Sequence, residues 1–210
     1  LKARRLNADD PRSPFQPVPI DEAVAQIRSE KPAVVFAPQV ETSAGLLLSD
    51  DYIQALAEAT HEVGGLFVLD AIAAGTLWVD MQALGIDVVV SAPQKGWSAS
   101  PCCALVMLSA LGLERIENTE SSSYACDLLK WLNIMEAYEK GGHAYHATMP
   151  TDSLRRFRDI MKETEEYGFE KVRNEQQELG DKVREMLARK GIKSVAAEGF
   201  QAPGVVVSYT

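Results

Sequence analysis

The chain has 210 residues, a formal net charge of -9 and a hydrophobic fraction of 46%. That length and apolar content allow one packed domain, or one domain and part of a second, and exclude the disordered class. The acidic balance argues against nucleic acid or an anionic membrane as the main partner, and no apolar run approaches the roughly 20 residues that span a bilayer.

Residues 1–19 hold several prolines and little periodicity, so they read as a surface arm. The basic start, Leu1-Lys2-Ala3-Arg4-Arg5, has no apolar stretch behind it and is not a signal peptide. It also lacks an initiator Met, so the native protein is expected to begin earlier. Asp21 to Lys31 has helical spacing, with Ala23 and Ile27 on one face, and Pro32 ends it. Ala33 to Ala37 is a continuous apolar run, the pattern of a strand buried on both faces.

Ser49-Asp50-Asp51 caps a predicted helix that runs to about Val63 and stops at Gly64-Gly65. Leu66 to Leu69 is a second buried strand ending at Asp70. A short helix is expected around Met81 to Leu84, a third strand over Ile86 to Val90, and a fourth over Cys103 to Leu108. Alternating strands and helices predict an α/β domain with a largely parallel sheet. Asp127 to Tyr138 reads as a helix. From Thr151 a long helical pattern runs to about Lys190, broken at Gly168, with strands expected over Ile192 to Ala196 and Val205 to Tyr209. The run that ends at Thr210 suggests an incomplete second domain.

Ligands of parallel sheets sit at the carboxyl ends of the strands. Lys95 follows a buried strand there, within Ser91-Ala92-Pro93-Gln94-Lys95-Gly96. A partly desolvated amine at such a place is nucleophilic; the bland reading is a solvated loop lysine. Asp70, at the end of another strand, needs a partner. A protonated cofactor ring nitrogen, a Mg²⁺ ion or a capping role would each supply one, although the GxxxxGK[ST] loop that accompanies Mg²⁺-nucleotide sites is absent. Glu41-Thr42-Ser43-Ala44-Gly45 suits a polar ligand or a plain turn. His143 and His146 lack further residues at ligand spacing, so no metal is expected. Cys102 and Cys103 are a nucleophilic or redox pair, or small core residues. With Cys126 they make an odd count, which fits a reducing, cytoplasmic compartment.

Four segments in order resemble the class V aminotransferases, specifically the alanine–glyoxylate/serine–pyruvate group of fold-type I pyridoxal-phosphate (PLP) enzymes. They are Glu41 to Gly45, Asp70-Ala71-Ile72, Gly85-Ile86-Asp87 through Ser91 to Lys95, and Tyr145-His146-Ala147-Thr148-Met149-Pro150. The resemblance implies a three-layer αβα large domain over 1–167 and the start of a smaller α+β domain over 168–210, each incomplete. It implies that Lys95 binds PLP as a Schiff base and shuttles the substrate proton. Asp70 pairs with the pyridine nitrogen, Ile72 packs on the ring, and Thr42 and Gln94 hold polar ring or phosphate atoms. Tyr145 and Thr148 reach the phosphate of a neighbouring subunit, which implies a homodimer with shared sites.

The implied reaction is transamination from alanine or serine to glyoxylate or pyruvate. Two alternatives stand beside it: a cysteine desulfurase or lyase of the same fold, and a non-catalytic fragment. Desulfurases carry a His before the lysine, where this chain has Gln94. The family pattern also differs at Gln39-Val40, at Gly96-Trp97-Ser98 and at Pro101-Cys102-Cys103, which bears on the substrate more than on the cofactor. The phosphate loop and ring-stacking aromatic are expected upstream of Leu1, and the carboxylate-binding arginine downstream of Thr210.

Overall fold

The computed structural model describes residues 2–210. Two short strands, β1 (Arg4–Arg5) and β2 (Phe15–Gln16), pair antiparallel. The predicted arm is therefore tied down: Phe15 bridges to Ala196, and Val18 and Ser13 are buried.

Helix α1 (Ile20–Glu30) opens after Pro19 with Asp21 and Glu22 in its first turn, where acidic groups oppose the helix dipole. It buries Ala23 and Ile27, one turn apart, and ends at Lys31 in a left-handed conformation. Helix α2 (Asp50–Glu62) is capped by Ser49, whose hydroxyl accepts the Tyr52 N–H. Its apolar face carries Tyr52, Ile53, Leu56 and Ala57. The Tyr52 hydroxyl donates to the Val18 carbonyl at 2.9 Å. Arg28 grips Glu62 through two bonds of 2.7 and 2.9 Å, which joins the two helices and holds the Glu62 carboxyl below its ordinary range.

The central sheet has the order β3 (Val34–Pro38), β4 (Leu66–Asp70), β5 (Val88–Ser91), β6 (Leu105–Leu108). The first three strands run parallel and β6 is antiparallel. One sheet face, with Ala37, Phe67, Leu69 and Val89, packs on α1 and α2. Phe67 and Ile53 are fully buried, and each such side chain stabilises the fold by about 1.5–3 kcal/mol.

The sequence reading needs correction at several elements. The run at β3 is not buried on both faces: Val34 and Phe36 are 51% and 61% exposed on an edge strand. A continuous apolar run does not report which face is covered. Residues 81–85 form a turn, too short for a helix, closed by Gly85 at φ 67°. Strand β6 begins at Leu105, so Cys103 lies outside it. A helix the pattern missed, α3 (Ala110–Glu117), follows with Ser109 as its cap. Helices α4 (Leu128–Glu139), α5 (Thr151–Tyr167) and α6 (Phe169–Arg189) match the expectations, and Gly168 at φ 102° separates the last two. Residues 192–196 and 205–209 pair through an isolated bridge at Ser194 and Ser208 instead of forming full strands. Among the described residues no helix is long and apolar enough to cross a membrane.

Candidate active site

Parallel pairing sets Pro38 beside Asp70 and Asp70 beside Val90. The loops after β3, β4 and β5 therefore leave the same sheet edge. The hydrogen-bond ladder continues into them: Gln39 N–H donates to the Asp70 carbonyl at 2.7 Å, and Ala71 N–H to the Val90 carbonyl at 2.8 Å.

Asp70 is half-buried at the end of β4. Its Oδ1 accepts the Ile72 N–H at 3.0 Å, and among the described residues Oδ2 accepts no hydrogen bond. Lys95 sits in a turn over residues 93–97 that starts from buried Ala92 and Pro93. The Lys95 carbonyl accepts the Ser98 N–H at 2.9 Å, and Ala99 N–H closes the loop on the Pro93 carbonyl at 3.0 Å. Gln94 and Lys95 point outward and are exposed.

These two loops are locked to each other. A methyl group on Gly96 would lie 1.8 Å from the Gly75 carbonyl oxygen, closer than any real contact, so only glycine fits. Gly75 itself has φ 69° and packs on the Gln176 side chain. Gln176, on α6, accepts both the Thr76 N–H and the Thr76 hydroxyl through Oε1, each at 2.7 Å. Aromatic contacts add a second fastening. Trp78 from one loop and Trp97 from the other lie 5.6 Å apart, and Phe157 of α5 and Phe169 of α6 pack edge-on against them. The departure from the family pattern at Trp97 is therefore a packing feature of this chain.

Thr42 is exposed in the loop after β3, the third at this edge. Glu41 organises that loop: its carboxylate accepts the Ser43 N–H and hydroxyl and the Ala44 N–H at 2.8–3.1 Å. Glu41 thus shapes the loop, and its carboxylate is occupied by the loop's own donors. Gln39 beneath it is 3% exposed, and its Oε1 is buried with no partner among the described residues.

The structure thus carries Thr42, Asp70, Ile72, Gln94 and Lys95 on loops that leave one sheet edge. Among the described residues no hydrogen bond links residues 141–149, which hold Tyr145 and Thr148, to these loops. Tyr145 and Thr148 are exposed, with their hydroxyls 3.0 Å apart. Their segment is held by Tyr124 and His146, which exchange bonds through each other's backbone carbonyls, and by Trp131 stacked edge-on against His146. His146 is thereby occupied as a structural residue.

Sequence reasoning missed Gln176, which carries no local signal in a polar helix. It also passed over Asp87, noted only inside its Gly-Ile-Asp motif. Asp87 is buried at 3% exposure and accepts from Phe67 N–H at 2.8 Å and the Ser109 hydroxyl at 3.1 Å, with His61 Nε2 at 2.8 Å.

The alanine–glyoxylate aminotransferase of Felis catus is 31% identical over 166 residues, covering 77% of this chain and 38% of that protein. Alanine–glyoxylate aminotransferase 1 of Saccharomyces cerevisiae is 29% identical over 178 residues, covering 81% and 45%. The chain thus spans less than half the length of either relative. The solved structure of an alanine–glyoxylate aminotransferase from Nostoc sp. superposes with a TM-score of 0.81 at 19% identity, over 91% of this chain and 50% of that one. The shared fold is the fold-type I α/β architecture with its mostly parallel sheet. Residues 13–206 match the aminotransferase class-V family across nearly the whole chain, and the chain belongs to that family.

Proposed function

We propose that this chain carries the lysine side of the active site of a PLP-dependent aminotransferase. On this reading the enzyme moves an amino group from a small amino acid, alanine or serine, to a 2-oxo acid such as glyoxylate or pyruvate. The supporting observation is the locked pairing of the Asp70 and Lys95 loops at the carboxyl edge of a parallel sheet. The side chains there suit PLP: an outward-facing amine, a half-buried carboxylate with one oxygen uncommitted among the described residues, the apolar Ile72, the hydroxyl of Thr42 and the amide of Gln94. The alanine–glyoxylate aminotransferases among its relatives support the choice of substrates.

PLP, when bound, supplies an electron-poor ring that takes up the negative charge left as the substrate's α-proton departs. Asp70 holds a proton on the ring nitrogen, because a carboxylate neighbour favours the charged form. Lys95 Nζ binds the cofactor, and as a free amine it takes the α-proton and returns it. Ile72 would pack on the ring face, and Thr42 and Gln94 would orient the polar ring and phosphate atoms. Tyr145 and Thr148 would offer their paired hydroxyls to the phosphate of a cofactor held by a second copy, which would make the working unit a homodimer with shared sites. The break at Gly168 divides a large domain, 1–167, from a smaller one, 168–210. The setting proposed is the cytoplasm.

The decisive experiment is chemical. The protein carrying this chain is incubated with PLP, reduced with borohydride, digested and mapped. The pyridoxyl group is expected on Lys95; finding it on any other lysine overturns the assignment.

A further inference from the structure

Successive side chains of an extended strand point to opposite faces, so neighbouring cysteines do not ordinarily present their sulfurs together. Cys102 and Cys103 do. They lie in the irregular segment before β6, both half-buried, neither in a disulfide, with their Sγ atoms 3.8 Å apart. That gap is far longer than the roughly 2.05 Å of a sulfur–sulfur bond. It is short enough for both sulfurs to reach one soft atom between them after a small side-chain adjustment. Among the described residues no third His, Cys, Asp or Glu joins the pair. The site therefore offers two protein sulfurs and leaves the remaining valence to the ligand's own substituent.

We propose that Cys102 and Cys103 form a dithiol site for thiophilic trivalent ligands, of the organoarsenical class. In the binding step an arsenoxide, R–As=O, condenses with both thiols. Two As–S bonds form, the oxygen leaves as water with the two thiol protons, and the arsenic stays trivalent, so no oxidant is needed. Burial and the hydrogen bond with Cys102 push the Cys103 thiol up to about 11. A thiol that keeps its proton at neutral pH is a poor nucleophile toward peroxides and alkylating agents, which require thiolate. It remains competent for a condensation that consumes that proton.

The site's position gives it a consequence. Residues 92–104 form one excursion between β5 and β6, and they carry Lys95 at one end and the dithiol at the other. Ligand bound to the sulfurs fixes the far end of the segment that holds Lys95.

The test uses the full chain with Cys126→Ser, to remove the exposed third thiol, and phenylarsine oxide as probe. One equivalent is expected to bind, with an intact-mass gain equal to the arsenoxide less one water. The adduct resists excess monothiol and is released by 2,3-dimercaptopropanol. Adding Cys102→Ser or Cys103→Ser removes the second bond, and the loss of intramolecular closure weakens binding by about 100-fold or more. Amide exchange over residues 93–101 slows on binding. Failure of the parent chain to bind, or tight binding retained by either single-thiol variant, overturns the site. Binding with unchanged exchange over 93–101 overturns its link to the Lys95 segment.

Discussion

The carboxylate of Asp87 ties three parts of the fold: the start of β4 through Phe67 N–H, the cap of α3 through Ser109, and the last turn of α2 through His61. Removing it strands a buried N–H, which costs about 1–3 kcal/mol, and cuts the other two bonds as well. Asp87→Ala is expected to lower the free energy of unfolding by about 2–4 kcal/mol in a urea titration. His61→Ala, at a partly exposed side chain, is expected to cost about 1 kcal/mol. Equal losses in the two variants would show that the carboxylate acts only through the histidine. Cys103 makes a second residue-scale prediction. Its raised value near 11 leaves about 100-fold less thiolate at neutral pH than an ordinary thiol near 9. The sign is that of an acid held protonated by the fold, so reactivity stays low through pH 9 and rises toward pH 11. In a timed iodoacetamide series, exposed Cys126 is expected to label first at pH 8, with Cys103 catching up only near pH 11.

At the scale of elements, α6 acts on the candidate site through one side chain. Gln176→Met keeps the volume and removes the acceptor for two bonds of 2.7 Å. Losing them costs about 1–3 kcal/mol, so amide exchange across 71–77 and 93–99 is expected to speed up about 5- to 100-fold. Gln176→Glu retains an acceptor oxygen and is expected to exchange nearly as the parent does. Uniform acceleration over the whole chain in the Met variant would mean global destabilisation and no local clasp. This clasp was not legible in the sequence, because one glutamine among many polar residues has no pattern of its own. The strand-end positions of Asp70 and Lys95 were legible, because apolar runs bounded by turn residues mark strand ends and those ends define an edge. Helix α3 was hidden by its brevity and by Gly112, whose backbone packs against the Asp87 carbonyl. The turn over 81–85 was misread because Met81 and Leu84 share a helical spacing that their burial also explains.

At the scale of the whole molecule, the separation of Tyr145 and Thr148 from the strand-end loops has a direct test. Exposed hydroxyls with no hydrogen bond to these loops among the described residues are expected to act in another copy. Mixing Lys95→Ala chains with Tyr145→Phe, Thr148→Ala chains of the complete protein is expected to restore activity up to about a quarter of wild type, from heterodimers with one intact site. No recovery after verified subunit exchange would remove the shared-site reading. The same map of long-range contacts also orders events in time. Gln176 lies 100 residues after Thr76. At a synthesis rate of about 5–20 residues per second, Thr76 waits about 5–20 s for its partner to be made. The four strands β3 to β6, the last ending at Leu108, are on hand long before that. The nascent chain can therefore settle these strands while the loops that bear Asp70 and Lys95 are still unfastened, until α6 arrives to fasten them.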